Sequence, residues 1–141
     1  MTLSQKKHTY LILVILLITA AITACSDIDK AEISQVMDAR DRAISHQSIP
    51  EYSALISTDY NDNNRGKINV VAQMVSLFDK FERAEMSSYD RQIRQLDESR
   101  AQCDQSYTLK VFADGEWRRI VQREQLTLTR NSTGWKIISG L

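Results

Sequence analysis

Proline and glycine are scarce in this 141-residue chain, which has one Pro and four Gly. A collagen-like repeat, a low-complexity chain and a Pro/Gly-rich linker are therefore excluded. Two Cys are too few for a disulfide-stapled miniprotein, and two His add too little for the usual zinc set. Charge of one sign is missing as well: 18 basic side chains meet 18 acidic ones, without the basic excess of a nucleic-acid binder. The sequence contains no P-loop, no dinucleotide fingerprint and no G-x-S-x-G nucleophile motif. What remains, 43% apolar and 26% charged, is the composition of one ordinary globular domain.

The exception to that even texture is the start. Lys6 and Lys7 precede Tyr10–Ala24, YLILVILLITAAITA, a run without a charge. A basic start, an apolar stretch and small residues at its end are the parts of a secretory signal. As a helix the run spans roughly 22 Å, short of the ~30 Å hydrocarbon core, which argues against a permanent transmembrane anchor. It ends Ile22-Thr23-Ala24-Cys25 and so resembles the bacterial lipobox. The resemblance implies a signal peptide over residues 1–24, cleavage before Cys25, and diacylglycerol and fatty-acid modification of that Cys. It places the protein in a bacterial envelope, held to the membrane by its lipid and facing the periplasm. Ser26 in place of Asp leans toward the outer membrane, and Asp27 blurs that lean.

Removing residues 1–24 takes Lys6 and Lys7 and no acid, leaving 117 residues with 16 basic and 18 acidic side chains. With Cys25 lipidated, Cys103 has no partner for a disulfide, and within a strand it reads as a small buried hydrophobe. No long linker follows Cys25. Helix signals begin near Asp27 to Lys30, so the domain can stand off the bilayer by only ~10–20 Å.

Ile33, Val36, Met37, Arg40 and Ile44 share one stripe of a first helix over Asp27–His46, with Asp38, Asp41 and Arg42 turned elsewhere. Ser48-Ile49-Pro50-Glu51 is a capping box that opens a short second helix carrying Tyr52, Leu55 and Ile56. Asp59–Gly66, DYNDNNRG, invites a calcium reading. That reading fails, because Asn64 sits where an EF-hand needs Gly and Val70 where it needs Glu. A turn into a third helix over Lys67–Glu82, with Ile68, Val71, Val75 and Phe78 on its stripe, is the better account. The period then falls to two. Strands are expected over Met86–Leu96, Ala101–Val111, Trp117–Thr129 and Trp135–Leu141, joined by turns at Asp114-Gly115 and Asn131–Gly134. Apolar residues of both parities in the third strand (Trp117 and Val121, Ile120 and Leu126) suggest a bulge near residues 119–123.

The expected fold class is α+β: three N-terminal helices packed on a curved antiparallel four-stranded sheet, preceded by a signal peptide. The order ααα-ββββ, Asp59-Tyr60 after the short second helix and the ending Gly134-Trp135-Lys136-Ile137 resemble the nuclear transport factor 2-like superfamily over nearly the whole of residues 25–141. The resemblance implies a cone-shaped pocket between sheet and helices, and dimerisation through the outer face of the sheet. Enzymes of that group carry an Asp, or an Asp–His pair, as base inside the cone.

Here the mature chain has a single His, His46, at the expected end of helix one, where a surface position is the plain reading. Most carboxylates fall on helix faces or turns. Glu124 differs, lying mid-strand with the parity of Leu126 and Leu128. If that parity faces inward, Glu124 and Gln122 enter the pocket near Tyr89 and Tyr107. Glu124 then acts as a base, as an acceptor that positions a ligand, or as the structural partner of Arg91 or Arg119. No catalytic set, metal or cofactor is expected. The reading is a membrane-anchored envelope lipoprotein with a non-enzymatic binding or assembly domain, partnered by the membrane and by a second copy or another envelope protein, and not by nucleic acid. The alternative is an enzyme or carrier for a small hydrophobic molecule in the pocket.

Overall fold

The computed structural model describes residues 29–141; the expected signal peptide over residues 1–24, Cys25, Ser26 and the first residues of the expected first helix lie outside them. Chain contacts delimit a compact unit over Glu32–Leu141. Among the described residues no helix is long and apolar enough to cross a membrane.

Helix α1 is helical through residues 29–45. Its apolar stripe buries Ile33, Met37, Ala43 and Ile44, and Arg40 is buried with them. The chain leaves α1 through Gln47, whose φ of 52° turns it back toward α2, Ile49–Ala54. The Ser48 hydroxyl accepts from the Glu51 N–H at 3.4 Å, so the cap read from Ser48-x-x-Glu51 is present. The Asn/Asp-rich loop folds into a small ribbon, β1 (Asn61–Asp62) on β2 (Arg65–Gly66). Asn63 and Asn64 both take positive φ, as a two-residue I′ turn requires.

Helix α3 spans Lys67–Lys80. Its inward face differs from the expected stripe. Val70 is buried, with Met74, Leu77 and Phe78 packed behind it, whereas Ile68 is 84% exposed. Apolar residues lie on nearly every side of this helix, so a 3.6-residue period alone cannot select the buried one.

The sheet is antiparallel in the order β3-β4-β5-β6, with β3 Arg83–Gln95, β4 Arg100–Ala113, β5 Glu116–Asn131 and β6 Gly134–Ser139. The helices pack against one face of it. The β4–β5 turn is again of I′ type, with positive φ at Asp114 and Gly115. The bulge expected near residues 119–123 is absent. The β4–β5 register runs unbroken from Arg100↔Thr129 to Ala113↔Glu116. Apolar residues of both parities occur there because Trp117 and Val121 sit on the face away from the helices, half-exposed, while Leu126 and Leu128 point into the core. Register instead shifts in β3, between Tyr89 and Gln92, where Asp90 adopts φ 53°, and at Thr127/Leu128 against β6.

The core joins Ile33, Met37 and Ile44 of α1, Tyr52 and Ile56 around α2, Val70 of α3, and Ala101, Cys103, Leu126, Leu128 and Ile137 of the sheet. Each such large side chain contributes about 1.5–3 kcal/mol on burial. Cys103 is a free, fully buried thiol whose pKa burial pushes up to about 11, a packing residue and not a nucleophile.

Gly140 closes the domain under a tight constraint. At φ +100° it is in glycine's territory, and a Cβ there would collide with the Gln125 carbonyl oxygen and crowd Leu126 Cα. Gly140→Ala is expected to lower unfolding stability by about 2 kcal/mol or more, read as a shifted denaturant midpoint at unchanged slope.

Candidate functional site

The inner face of the sheet carries an unusual amount of polarity for a core. Cross-strand partners Gln105↔Glu124 and Tyr107↔Gln122 share the side of Cys103 and Leu126, the side covered by α1. Glu124 Oε1 accepts from Arg40 Nη1 at 2.6 Å and from Gln105 Nε2 at 2.8 Å, and Oε2 accepts from Arg40 Nη2 at 3.0 Å. The pair is well shielded, with side-chain exposures of 7% and 10%. Burial by itself disfavours the Arg40 charge, but the adjoining Glu124 carboxylate outweighs it and holds the guanidinium above its usual pKa. Neither Arg91 nor Arg119 pairs with Glu124; the partner comes from α1.

Arg91 has a different task. The extra residue at Asp90 returns it to the inner face, where its Nε donates to Gln105 Oε1 at 2.8 Å. Its Nη1 donates to Asp38 Oδ1 at 2.9 Å and to the Ser34 carbonyl at 3.1 Å. Ser88 extends the network, with its N–H and Oγ donating to the Asp41 carboxylate at 2.7 and 2.8 Å. Asp38 and Asp41, expected to face away, thus bind α1 to β3. Gln105, fully buried, joins the halves: its oxygen accepts from Arg91 and its nitrogen donates to Glu124 and, at 3.2 Å, to Ser88 Oγ.

Beside the ion pair lies a cavity of about 430 Å³. Arg40, Tyr52, Tyr107, Gln122 and Glu124 form its polar wall, and Val70, Met74 and Leu77 of α3 its apolar one. The Tyr107 hydroxyl donates to Gln122 Oε1 at 2.6 Å. Burial raises the pKa of Tyr52 and of Tyr107, with the Glu124 charge adding to the rise at Tyr107, so both remain protonated donors at neutral pH.

Three of the four residues anticipated for a pocket, Tyr107, Gln122 and Glu124, are therefore together. Tyr89 is not with them. It pairs with Ser106, on the side opposite Gln105 and Tyr107, and is 41% exposed. The inserted residue at Asp90 restores inward parity only from Arg91 onward, which strands Tyr89 outside. In the polar wall, Arg40 and Tyr52 were not assigned to a pocket from sequence, nor were the α3 residues of the apolar wall, although the Arg interrupting the apolar stripe of helix one was a visible signal. His46 is exposed just beyond α1. Among the described residues no group of three or more His, Cys, Asp or Glu could hold a metal ion.

No family model and no curated protein matches the sequence. Solved structures do match the fold. A candidate dehydratase of the NTF2-like family from Streptomyces avermitilis aligns at TM-score 0.72 and 14% identity over 81% of this chain and 94% of its own. A candidate scytalone dehydratase from Novosphingobium aromaticivorans gives 0.73 and 14% over 84% and 85%. An NTF2-like protein with a cystatin-like fold from the same organism gives 0.71 and 13% over 88% and 86%. The fold is thus the one shared by nuclear transport factor 2-like, cystatin-like proteins, an α+β domain with helices packed on a four-stranded antiparallel sheet.

The buried pair makes a sharp stability prediction. Arg40→Met and Glu124→Leu should each cost about 3–5 kcal/mol by leaving a buried charge unpaired, whereas the double substitution should recover most of the loss. A double-mutant cycle by urea unfolding reads the coupling directly.

Proposed function

We propose that this protein is a lipid-anchored domain of the bacterial envelope that binds a small molecule in the cavity beside Arg40 and Glu124 without transforming it. The state of Glu124 carries this reading. A general base needs a free lone pair within reach of substrate. Both Glu124 oxygens are engaged by Arg40 and one also by Gln105, so the carboxylate stands as part of the wall. Among the described residues Glu124 is the one side-chain carboxylate that lines the cavity, and no described His lines it. The volume, about 430 Å³, falls within the ~300–1,000 Å³ of small-molecule sites. Apolar α3 side chains opposite a few fixed hydrogen-bonding groups suit a ligand with a hydrophobic body and one or two polar atoms. That two solved neighbours are described as candidate dehydratases supports a cavity of this fold taking small molecules, and leaves this chain's chemistry to its own residues.

The anchor rests on Ile22-Thr23-Ala24-Cys25. A short connection from Cys25 to α1 keeps the cavity within reach of molecules that partition at the membrane.

Thermal shift against a panel of lipophilic metabolites tests the cavity. Saturable stabilisation that is lost in Leu77→Trp, which fills the apolar wall, is the expected result. Stabilisation by none of them, or turnover of a bound compound, overturns the reading. For the anchor, Cys25→Ser is expected to abolish labelling by a fatty-acid analogue and to leave uncleaved precursor, both visible by gel mobility.

A further inference from the structure

The outer face of the sheet carries side chains that the cavity does not use. Cross-strand partners point to the same side, so β3, β4 and β5 present rows three residues wide. One row is Arg83, Phe112 and Trp117, and the next is Glu85, Lys110 and Arg119. The Arg83 guanidinium lies 4.5 Å from the centre of the Phe112 ring and 5.0 Å from that of Trp117. Lys110 and Arg119 stand directly opposite each other, an arrangement of like charges that costs a sheet stability. Glu85 offsets it only loosely, with its Oε2 3.7 Å from Lys110 Nζ and both side chains at least half exposed. A cleft of about 570 Å³ runs between the two rows.

We propose that this face docks on an anionic bilayer, with Lys110 and Arg119 meeting headgroup phosphates and Trp117 seated at the boundary. Charge complementarity selects the occupant, since in the two rows that flank the cleft Arg83, Lys110 and Arg119 face outward against the Glu85 carboxylate, on a chain of balanced overall charge. Phosphate oxygens between Lys110 and Arg119 remove the repulsion that the fold leaves standing. An exposed indole beside cations belongs where one side is apolar and the other wet. A second copy would bring another set of the same cations to this face. The proposal takes from the anchor reading only that a bilayer is near.

Trp135→Phe leaves Trp117 as the one indole of the full chain. That protein is reconstituted in vesicles of phosphatidylcholine with or without phosphatidylglycerol, each doped with a brominated phosphatidylcholine that quenches Trp at the bilayer. Quenching in phosphatidylglycerol vesicles should exceed that in phosphatidylcholine by about two-fold or more, and fall to the lower level in high salt. Adding Lys110→Glu and Arg119→Glu should abolish the excess while the Tm stays within a few degrees. Equal quenching in the two vesicle types, or an excess that survives charge reversal, overturns the proposal. So does Trp117 protection that grows with protein concentration in the absence of vesicles, which marks self-association. The mass of the purified protein scores the anchor separately: a missing acyl mass defeats that reading, and the comparison between vesicle types still decides this one.

Discussion

The structure depends on one constraint, a buried guanidinium that must be matched. Arg40 sits in the apolar stripe of α1 and cannot be carried into the core uncompensated, because stripping its water would cost several kcal/mol. Glu124 answers it with two parallel hydrogen bonds across the helix–sheet junction. Residues that are otherwise hard to explain follow from that need. Gln105 takes up the remaining capacity of the carboxylate, Arg91 fixes which way the Gln105 amide faces, and Asp38 neutralises Arg91. Apolar packing alone leaves a helix free to slide by a turn on a sheet; this chain of directional contacts admits one register.

The same network shapes the cavity. Its polar wall is the exposed edge of the structural pair, so the groups that would meet a ligand are already held rigid. Rigid polar groups favour selective binding, since little ordering is required when a ligand arrives. They work against proton transfer, which requires a group able to gain and lose a proton at modest cost.

Much of the fold was legible in the sequence for identifiable reasons. The Ser48 cap, the Asp114-Gly115 turn and the strict alternation of β4 are local signals that long-range packing did not override. The inward parity of Glu124 was legible too, because Leu126 and Leu128 share it. Its partner was not: Arg40 lies 84 residues away, and pairing over that distance leaves no local trace. Tyr89 was misplaced because Asp90 takes a positive φ without a Gly to announce it. The false bulge in β5 arose from reading every apolar residue as a core residue, when Trp117 and Val121 occupy the outer face. The apolar residues around α3 hid its buried side for a related reason.

The extra residue in β3 has a consequence for how this strand can change over time. On either side of Asp90 the strand is written in opposite phase. Before it Met86 and Ser88 face inward, and after it Arg91 and Ile93 do. Substitutions are read face by face, but a one-residue deletion here would turn a whole half-strand over, sending Arg91 out and a neighbour in. Length at this point is therefore held more tightly than identity, and variation among descendants of this sequence should accumulate as exchanges of residue type around position 90, with insertions and deletions confined to the turns.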